Sequence, residues 1–357
     1  MTLQRRRFLL GLGALGLAGC EGTVPLIEPG EPPQFALRRI AFGSCTDQSK
    51  PQPIWDAVMA NRPDLMIFGG DNVYASEQPW SLEKLQQAYA TQAAVPGFAR
   101  LRRAVPHLAI WDDHDYGMND GGAEFAHKAQ SKAAFLQFWQ VPAKDPRQGR
   151  EGIYHAEVFG PPGQRVQVIL LDTRWFRSPW KPTDTRNAPG KERYLADSDP
   201  AKTLLGETQW RWLEQQLRQP AELRLIVSGI QVVAEGHGWE RWGNFPLERS
   251  RLYRLLASTG ANGVVFLSGD RHVGAIYRES SDVPYPLYEL TSSGITHPWA
   301  NAAEAGPNRL GELFTEQHYG SVEIDWAARR VQLQLRDQRG AVRRSEAISI
   351  HELQSRS

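Results

Sequence analysis

The 357-residue chain carries 41 Lys and Arg against 40 Asp and Glu, a formal net charge of +1, and 41% hydrophobic residues. Those proportions describe an ordinary folded globular chain, long enough for one large domain or two small ones, and argue against a nucleic-acid-binding surface. The chain has only two cysteines, Cys20 and Cys45.

Residues 1–19 have the parts of an export signal: a basic start (Arg5, Arg6, Arg7), an apolar stretch from Phe8 to Leu17 and a small-residue end. Arg5-Arg6-Arg7-Phe8-Leu9 is similar to a twin-arginine signal, and Leu17-Ala18-Gly19-Cys20 resembles a lipobox, whose cysteine becomes the lipidated mature N-terminus. These features predict a lipoprotein exported to the periplasmic side of a bacterial membrane. The alternative is an ordinary cleaved signal with Cys20 as a passenger. The apolar stretch is shorter than the roughly 20 residues a spanning helix needs. If Cys20 carries lipid, Cys45 has no disulfide partner and is either a small buried hydrophobe or a functional thiolate. Residues 20–37 are proline-rich and read as a tether, with one folded domain over 38–350.

Short apolar runs at 39–44, 64–68, 107–111, 166–171, 224–228 and 263–268 predict strands buried on both faces. Helices are predicted over 53–60, 82–91, 98–103, 126–139, 207–217 and 247–258. This alternation predicts an α/β sheet with right-handed crossovers. Later runs at 286–293, 320–326 and 330–337 predict antiparallel strands that complete or double the sheet. Tryptophans gather between 175 and 242, a pattern more often of packing than of ligand binding.

Five of the six apolar runs end in a polar or glycine-rich cluster: Ser44-Cys45-Thr46-Asp47, Gly69 to Tyr74, Asp112 to Asp120, Asp172 to Arg177, and Gly269 to His272. Ligands in open α/β sheets bind beyond the carboxyl ends of strands, so these clusters are expected to converge. The site would offer Cys45, Asp71, Tyr74, Asp112, Asp113, His114, Asp115, Asp270 and His272. So many carboxylates at one edge repel by several kcal/mol unless cations neutralise them, which predicts a multi-metal centre. Thiolate with phenolate suits a trivalent ion such as ferric iron in one position, since Ca and Mg prefer oxygen and Zn rarely takes tyrosine.

A strand followed by G-D-x-x-Y, a strand ending in D-D-H-D and a strand ending in G-D-x-H together resemble the metallophosphoesterase superfamily. Gly43-Ser44-Cys45 stands in place of that superfamily's D-x-H block, Asp113-His114-Asp115 in place of N-H-[DE], and Gly269-Asp270-Arg271-His272 in place of G-H-x-H. These replacements, with "LDTRWFRSP" and "SGIQVVAEGHGWERWGNFPLER", resemble the PhoD-like alkaline phosphatase/phosphodiesterase branch over roughly residues 38–340. The resemblance implies an αββα sandwich with a mixed central sheet as a single α/β domain. It also implies Fe(3+) held through cysteine and tyrosine, and Ca(2+) in the remaining positions, with Zn, Mn or Mg as alternatives at either. About 18 residues separate Cys20 from the first strand, so the N-terminal β-sandwich of larger members is expected to be absent.

Under this reading Asp71 bridges two ions, Cys45 and Tyr74 complete the iron side, and Asp113, Asp270 and His272 serve the remaining positions. Asp112 is a further ligand or an orienting neighbour. Two cations roughly 3.5 to 4 Å apart activate a shared hydroxide for direct hydrolysis without a phosphoenzyme. His114 is expected to be the general acid. Arg174, Asn72 and His237 are expected on the substrate side, Arg174 by a bidentate contact or else as an ion-pair partner of Asp172. Asn119 and Asp120 are extra calcium ligands or a loop cap. The expected partners are a phosphate-ester substrate and the membrane through Cys20, with the protein a monomer. A phospholipase or cell-wall teichoic-acid phosphodiesterase is the alternative activity, and a non-catalytic metal- or ligand-binding lipoprotein the alternative class.

Overall fold

The computed structural model describes residues 35–355. The signal-like segment, Cys20 and most of the tether lie outside the described residues. The first half runs β1 (Arg39–Gly43), α1 (Ile54–Ala60), β2 (Leu65–Gly69), α2 (Leu82–Ala94), α3 (Pro96–Ala104), β3 (His107–Ile110), the single turn α4 (Asp113–Tyr116) and α5 (Lys128–Phe138). It continues through β4 (His155–Phe159), β5 (Val166–Leu170), a two-residue ribbon of β6 (Lys181–Pro182) and β7 (Tyr194–Leu195), α6 (Gly206–Leu217), β8 (Leu223–Ser228), α7 (Pro246–Thr259) and β9 (Val264–Ser268). The last part is all strand: β10 (Gly274–Glu279), β11 (Leu287–Ser292), β12 (His318–Asp325), β13 (Arg330–Asp337) and β14 (Val342–Ser349).

Every predicted strand and helix is present, with shifted ends. Pro96 explains one shift: it disfavours helical backbone at Val95, so the predicted helix at 82–91 runs to Ala94 and a new helix starts at Pro96. Five strands were not foreseen: β4, β10, β14 and the two-residue β6 and β7. Two of them, β4 and β14, have mostly exposed or half-buried residues and lie at sheet edges, so they lack the apolar run that marks a buried strand.

The C-terminal strands double the sheet. One six-stranded sheet has the order β14-β13-β12-β1-β2-β3, and the other β10-β11-β9-β8-β5-β4. Both are mixed: β1, β2 and β3 pair in parallel, as do β5, β8, β9 and β11, while the outer pairings are antiparallel. The sheets stack face to face about one continuous apolar core. Their approach is close where Gly320 on β12 faces β11, since a Cβ there would sit 3.0 Å from Leu290. Helices cover the outer faces: Trp55 of α1 and Phe98 of α3 pack on Phe68 of β2, and Phe135 of α5 on Trp111 just after β3. On the other side Gln167 of β5 donates to the Gln216 carbonyl of α6. The result is the expected αββα sandwich in a single domain, built on two mixed six-stranded sheets. No helix of the described residues is long and apolar enough to cross a membrane.

Candidate metal centre

The stacking of the two sheets brings the carboxyl ends of β1, β2, β3, β5 and β9 to one edge, where the predicted clusters meet. A cleft of about 220 Å³ opens there, lined by Asp71, Asp113, His114, Asp270 and His272 and rimmed by segments around Asp120, Arg193, Trp239 and Trp299. Cys45, Asp71 and His272 bring donor atoms within 4.8 Å of one another, as do Asp71, Asp113 and His114, and Asp112, Asp113 and Asp270. Asp71 belongs to the first two groups and Asp113 to the last two, so the donors form one chain of sites. The Tyr74 hydroxyl lies 3.1 Å from His272 Nε2, which places the phenol beside the cysteine-containing group.

Backbone conformation shows how tightly the donors are held. Among the described residues ten non-glycine residues have left-handed φ, and five of them sit here: Cys45 (62°), Asp71 (49°), Asp120 (52°), Asp270 (69°) and His272 (56°). Such backbone costs of order 1–3 kcal/mol per residue and persists where the surroundings dictate it, typically at functional sites. Gly70, at φ 99°, precedes Asp71; a Cβ there would lie 2.6 Å from Asp112 Cβ, so β2 and β3 could not deliver their carboxylates so close together with any other residue.

Asp115 organises this turn without joining the donors. Its carboxylate accepts from the backbone N–H groups of Asp71 (3.2 Å), Asn72 (3.3 Å) and Asp112 (2.7 Å) and from Asn72 Nδ2 (2.5 Å). The Asp71 carboxylate accepts from the His114 N–H at 3.1 Å and stands 3.5 Å from Cys45 Sγ.

The electrostatics are those of an anionic cluster short of positive charge. Burial, reinforced by Asp71, pushes the Cys45 thiol well up, and burial with Asp113 and Asp112 does the same to Asp71. Burial also raises Tyr74 and Asp270, the latter with help from Glu240, and it pushes Asp112 up to about 8 despite Arg174. Asp113 goes the other way, to about 2, because His114 and Arg174 outweigh its burial. Two carboxylate oxygens, Asp112 Oδ2 and Asp113 Oδ1, are buried without a hydrogen-bond partner. An orphaned buried carboxylate oxygen costs about 1–3 kcal/mol or more, and two in one cluster mark a place for cations. Oxygen, sulfur and imidazole donors meeting in this way fit bound metal ions.

Three expectations for the substrate side are corrected. Arg174 is fully buried and spent on structure: Nε donates to Asp112 Oδ1 at 2.6 Å, and its two terminal nitrogens fork onto Glu240 at 2.7 and 2.9 Å. Although burial opposes it, these carboxylates push the guanidinium further up. Its ion-pair partners are therefore Asp112 and Glu240, with Asp172 receiving only the Arg174 backbone N–H. Asn72 commits its amide hydrogens to the Ile110 carbonyl (2.8 Å) and Asp115. His237 is buried, with Nε2 2.9 Å from Gln231 Oε1 and Nδ1 accepting from the Trp239 N–H. None of the three lines the cleft, and the nitrogens of each are bonded within the protein.

Several contributors escaped sequence reading. Glu240 lines the cleft beyond Arg174, and its only cue was the segment "EGHGWER". Asp120, by contrast, was expected as an extra calcium ligand or a loop cap: it accepts from the Tyr194 hydroxyl at 2.5 Å, donates its N–H to Asp113 Oδ2 at 2.8 Å, and forms another donor group with Asp113 and Glu240. His297 packs edge-on to both Tyr74 and His272. Ser76 Oγ lies 2.7 Å from His114 Nδ1, leaving Nε2 as the free ring nitrogen, while the Tyr74 ring lies 4.1 Å from the imidazole. Ser76→Ala is expected to lower kcat about tenfold at constant KM and shift the alkaline limb of the pH profile, with Ser76→Thr restoring both. A uniform fall in kcat/KM with an unmoved profile would assign Ser76 to packing alone.

A four-layer α/β sandwich with anionic donors at the carboxyl ends of both sheets defines a metallophosphoesterase-type scaffold. Residues 40–346 match the PhoD-like phosphatase family, and the chain belongs to that family. It is 23% identical over 248 residues to alkaline phosphatase D of Bacillus subtilis (strain 168), an alignment that covers 64% of this chain and 40% of that protein. The chain thus spans well under half the length of this curated relative. Among solved structures, PhoD superposes with a TM-score of 0.69 at 18% identity, over 91% of this chain and 73% of that one. The purple acid phosphatase PPD1 of yellow lupin (Lupinus luteus) seeds superposes at 0.58 and 14% identity, over 89% and 55%.

Proposed function

We propose that this protein hydrolyses phosphate esters, mono- or diesters, with metal ions held by Cys45, Asp71, Tyr74, Asp112, Asp113, Asp270 and His272. The observation that carries this reading is the chain of donor groups with Asp71 common to two of them and two orphaned carboxylate oxygens in its midst. Family membership and the likeness to alkaline phosphatase D support the same reaction class. When bound, the metals supply Lewis-acid activation of water and neutralise charge on the phosphoryl group. Cys45 and Tyr74, beside Asp71 and His272, favour ferric iron at one end, while the all-carboxylate group of Asp112, Asp113 and Asp270 favours calcium at the other. His114, held through Nδ1 by Ser76, is placed in the cleft to protonate the leaving alkoxide. Arg174 holds Asp112 and Glu240 in place through its three side-chain bonds, so it acts as a positioning residue.

The export signal, a lipid on Cys20 and a periplasmic location remain part of the proposal, supported by the first 20 residues of the sequence. A twin-arginine route, which carries folded proteins, would allow metal loading before export. The test is phosphate release from aryl and alkyl phosphates by native protein, with and without chelator, alongside elemental analysis and a visible spectrum. Chelation is expected to abolish turnover, and iron bound to thiolate and phenolate is expected to absorb visible light. A metal-loaded protein without turnover would overturn the hydrolase reading, and a colourless, iron-free protein would overturn the roles of Cys45 and Tyr74.

A further inference from the structure

Next to the metal donors the cleft has an outer half that no step above uses. Five large hydrophobic side chains are well exposed among the described residues, Phe35, Val158, Leu247, Trp299 and Val342, and of these only Trp299 lines the cleft. It is 40% exposed, and its backbone N–H donates to the His272 carbonyl at 2.7 Å, so its backbone is fixed against a candidate metal ligand. Trp239 meets Trp299 edge to face at 5.6 Å. Both cleft arginines lie against Trp239: the Arg193 guanidinium 5.2 Å and that of Arg271 5.0 Å from its ring centre. Trp239 is therefore occupied by cations, and Trp299 is the aromatic surface left for a ligand.

The two arginines differ in what they can do. Arg271 is nearly buried and tied to Glu304 at 2.7 Å, with its Nε lacking a partner. Arg193 is about one third exposed and has one long contact, 3.3 Å to Asp120. Its backbone is nonetheless fixed, because the N–H groups of Arg193 and Tyr194 both donate to the Gly238 carbonyl. In a cleft otherwise lined by Asp71, Asp113, Asp120, Glu240 and Asp270, Arg193 is the accessible cation that can meet an incoming anion.

We infer that the outer cleft is a leaving-group subsite for planar aromatic rings, which stack on Trp299 while Arg193 meets the phosphoryl oxygens. This rests on the hydrolase reading and narrows its substrate class to phosphate esters of aryl or nucleoside-like groups. Stacking of a planar ring on an aromatic side chain strengthens binding about tenfold or more, and an arginine beside the ring adds to it. The test compares p-nitrophenyl phosphate with glycerol phosphate in wild type, Trp299→Ala and Trp299→Phe. The ratio of kcat/KM for the aryl ester to that for the alkyl ester is expected to fall about tenfold in Trp299→Ala, through KM of the aryl ester, and to recover in Trp299→Phe. Arg193→Gln is expected to weaken both esters alike. An unchanged ratio in Trp299→Ala overturns the subsite while leaving the hydrolase reading intact. If wild type turns over neither ester, the hydrolase reading falls on its own. The subsite is then decided by calorimetric Kd for p-nitrophenyl phosphate, expected to weaken about tenfold in Trp299→Ala and overturned by an equal Kd.

Discussion

Asp71→Asn is expected to lower turnover by at least about 10³-fold and to remove bound metal, because among the described residues no other side chain serves both the cysteine-containing group and the His114-containing group. Asparagine is the informative replacement: it keeps the shape of the side chain and, like aspartate, tolerates the left-handed backbone at φ 49°, so the strand end need not rearrange. The same variant makes a stability test whose sign follows from the raised pKa of Asp71. Without metal, folded wild type holds the Asp71 proton to a higher pH than the unfolded chain, whose carboxyl titrates near about 3.9. Below that pH both states are protonated and the residue contributes no difference. As pH rises above it the unfolded chain releases the proton first, so metal-free wild type loses stability with increasing pH. Metal-free Asp71→Asn escapes that loss, and its thermal midpoint should exceed that of chelated wild type by a margin that grows from pH 5 to pH 8. Metal addition should raise the midpoint of wild type much more than that of the variant. A variant that retains full metal content and near-normal kcat would remove Asp71 from the centre of the site.

His114→Ala is expected to reduce kcat by about 10² to 10⁴ on an alkyl phosphate, the usual contribution of a general acid, with metal content unchanged. The loss should be much smaller on p-nitrophenyl phosphate, since nitrophenolate leaves without protonation. That substrate dependence matters because His114 also stands within ligand distance of Asp71 and Asp113. If His114 holds metal, the variant loses metal and both substrates suffer equally. If it donates a proton, metal stays and the alkyl ester alone suffers severely. Wild-type rates on the alkyl ester would exclude both roles. Ser76 enters the same test, because its bond to Nδ1 decides which ring nitrogen is free.

Legibility in the sequence followed burial. The strands β1, β2, β3, β5, β8 and β9 are apolar along most of their length because both faces are covered, so their runs stand out, and the polar residues after them mark strand ends. Edge strands such as β14, with "VRRSEAIS", carry no such signal, since one rim and much of one face meet water. Residues at strand ends were also readable as donors by type, because cysteine, tyrosine, histidine and several aspartates in five such clusters have few other common purposes. Arg174, Asn72 and His237 were misassigned for the converse reason. A polar side chain near a site looks the same in sequence whether it faces the ligand or the protein. Only burial and its hydrogen-bond partners distinguish the two, and for Arg174 the partners Asp112 and Glu240 are 62 and 66 positions away.

The sequence by itself determined the alternation of strand and helix, the place of the donor residues at strand ends and the surplus of carboxylates that calls for cations. Local patterning and charge type are properties of short segments and survive without knowledge of the fold. The tertiary structure alone decided that two sheets stack, that β1, β2, β3, β5 and β9 deliver their ends to the same edge, and that Asp71 is the donor common to two groups. It also decided that Ser76 orients His114, and that Trp299 is left facing the cleft while Trp239 is covered by Arg193 and Arg271. These are matters of distance between segments remote in the chain, fixed by how the apolar faces of the two sheets pack, and composition or periodicity carries no record of them.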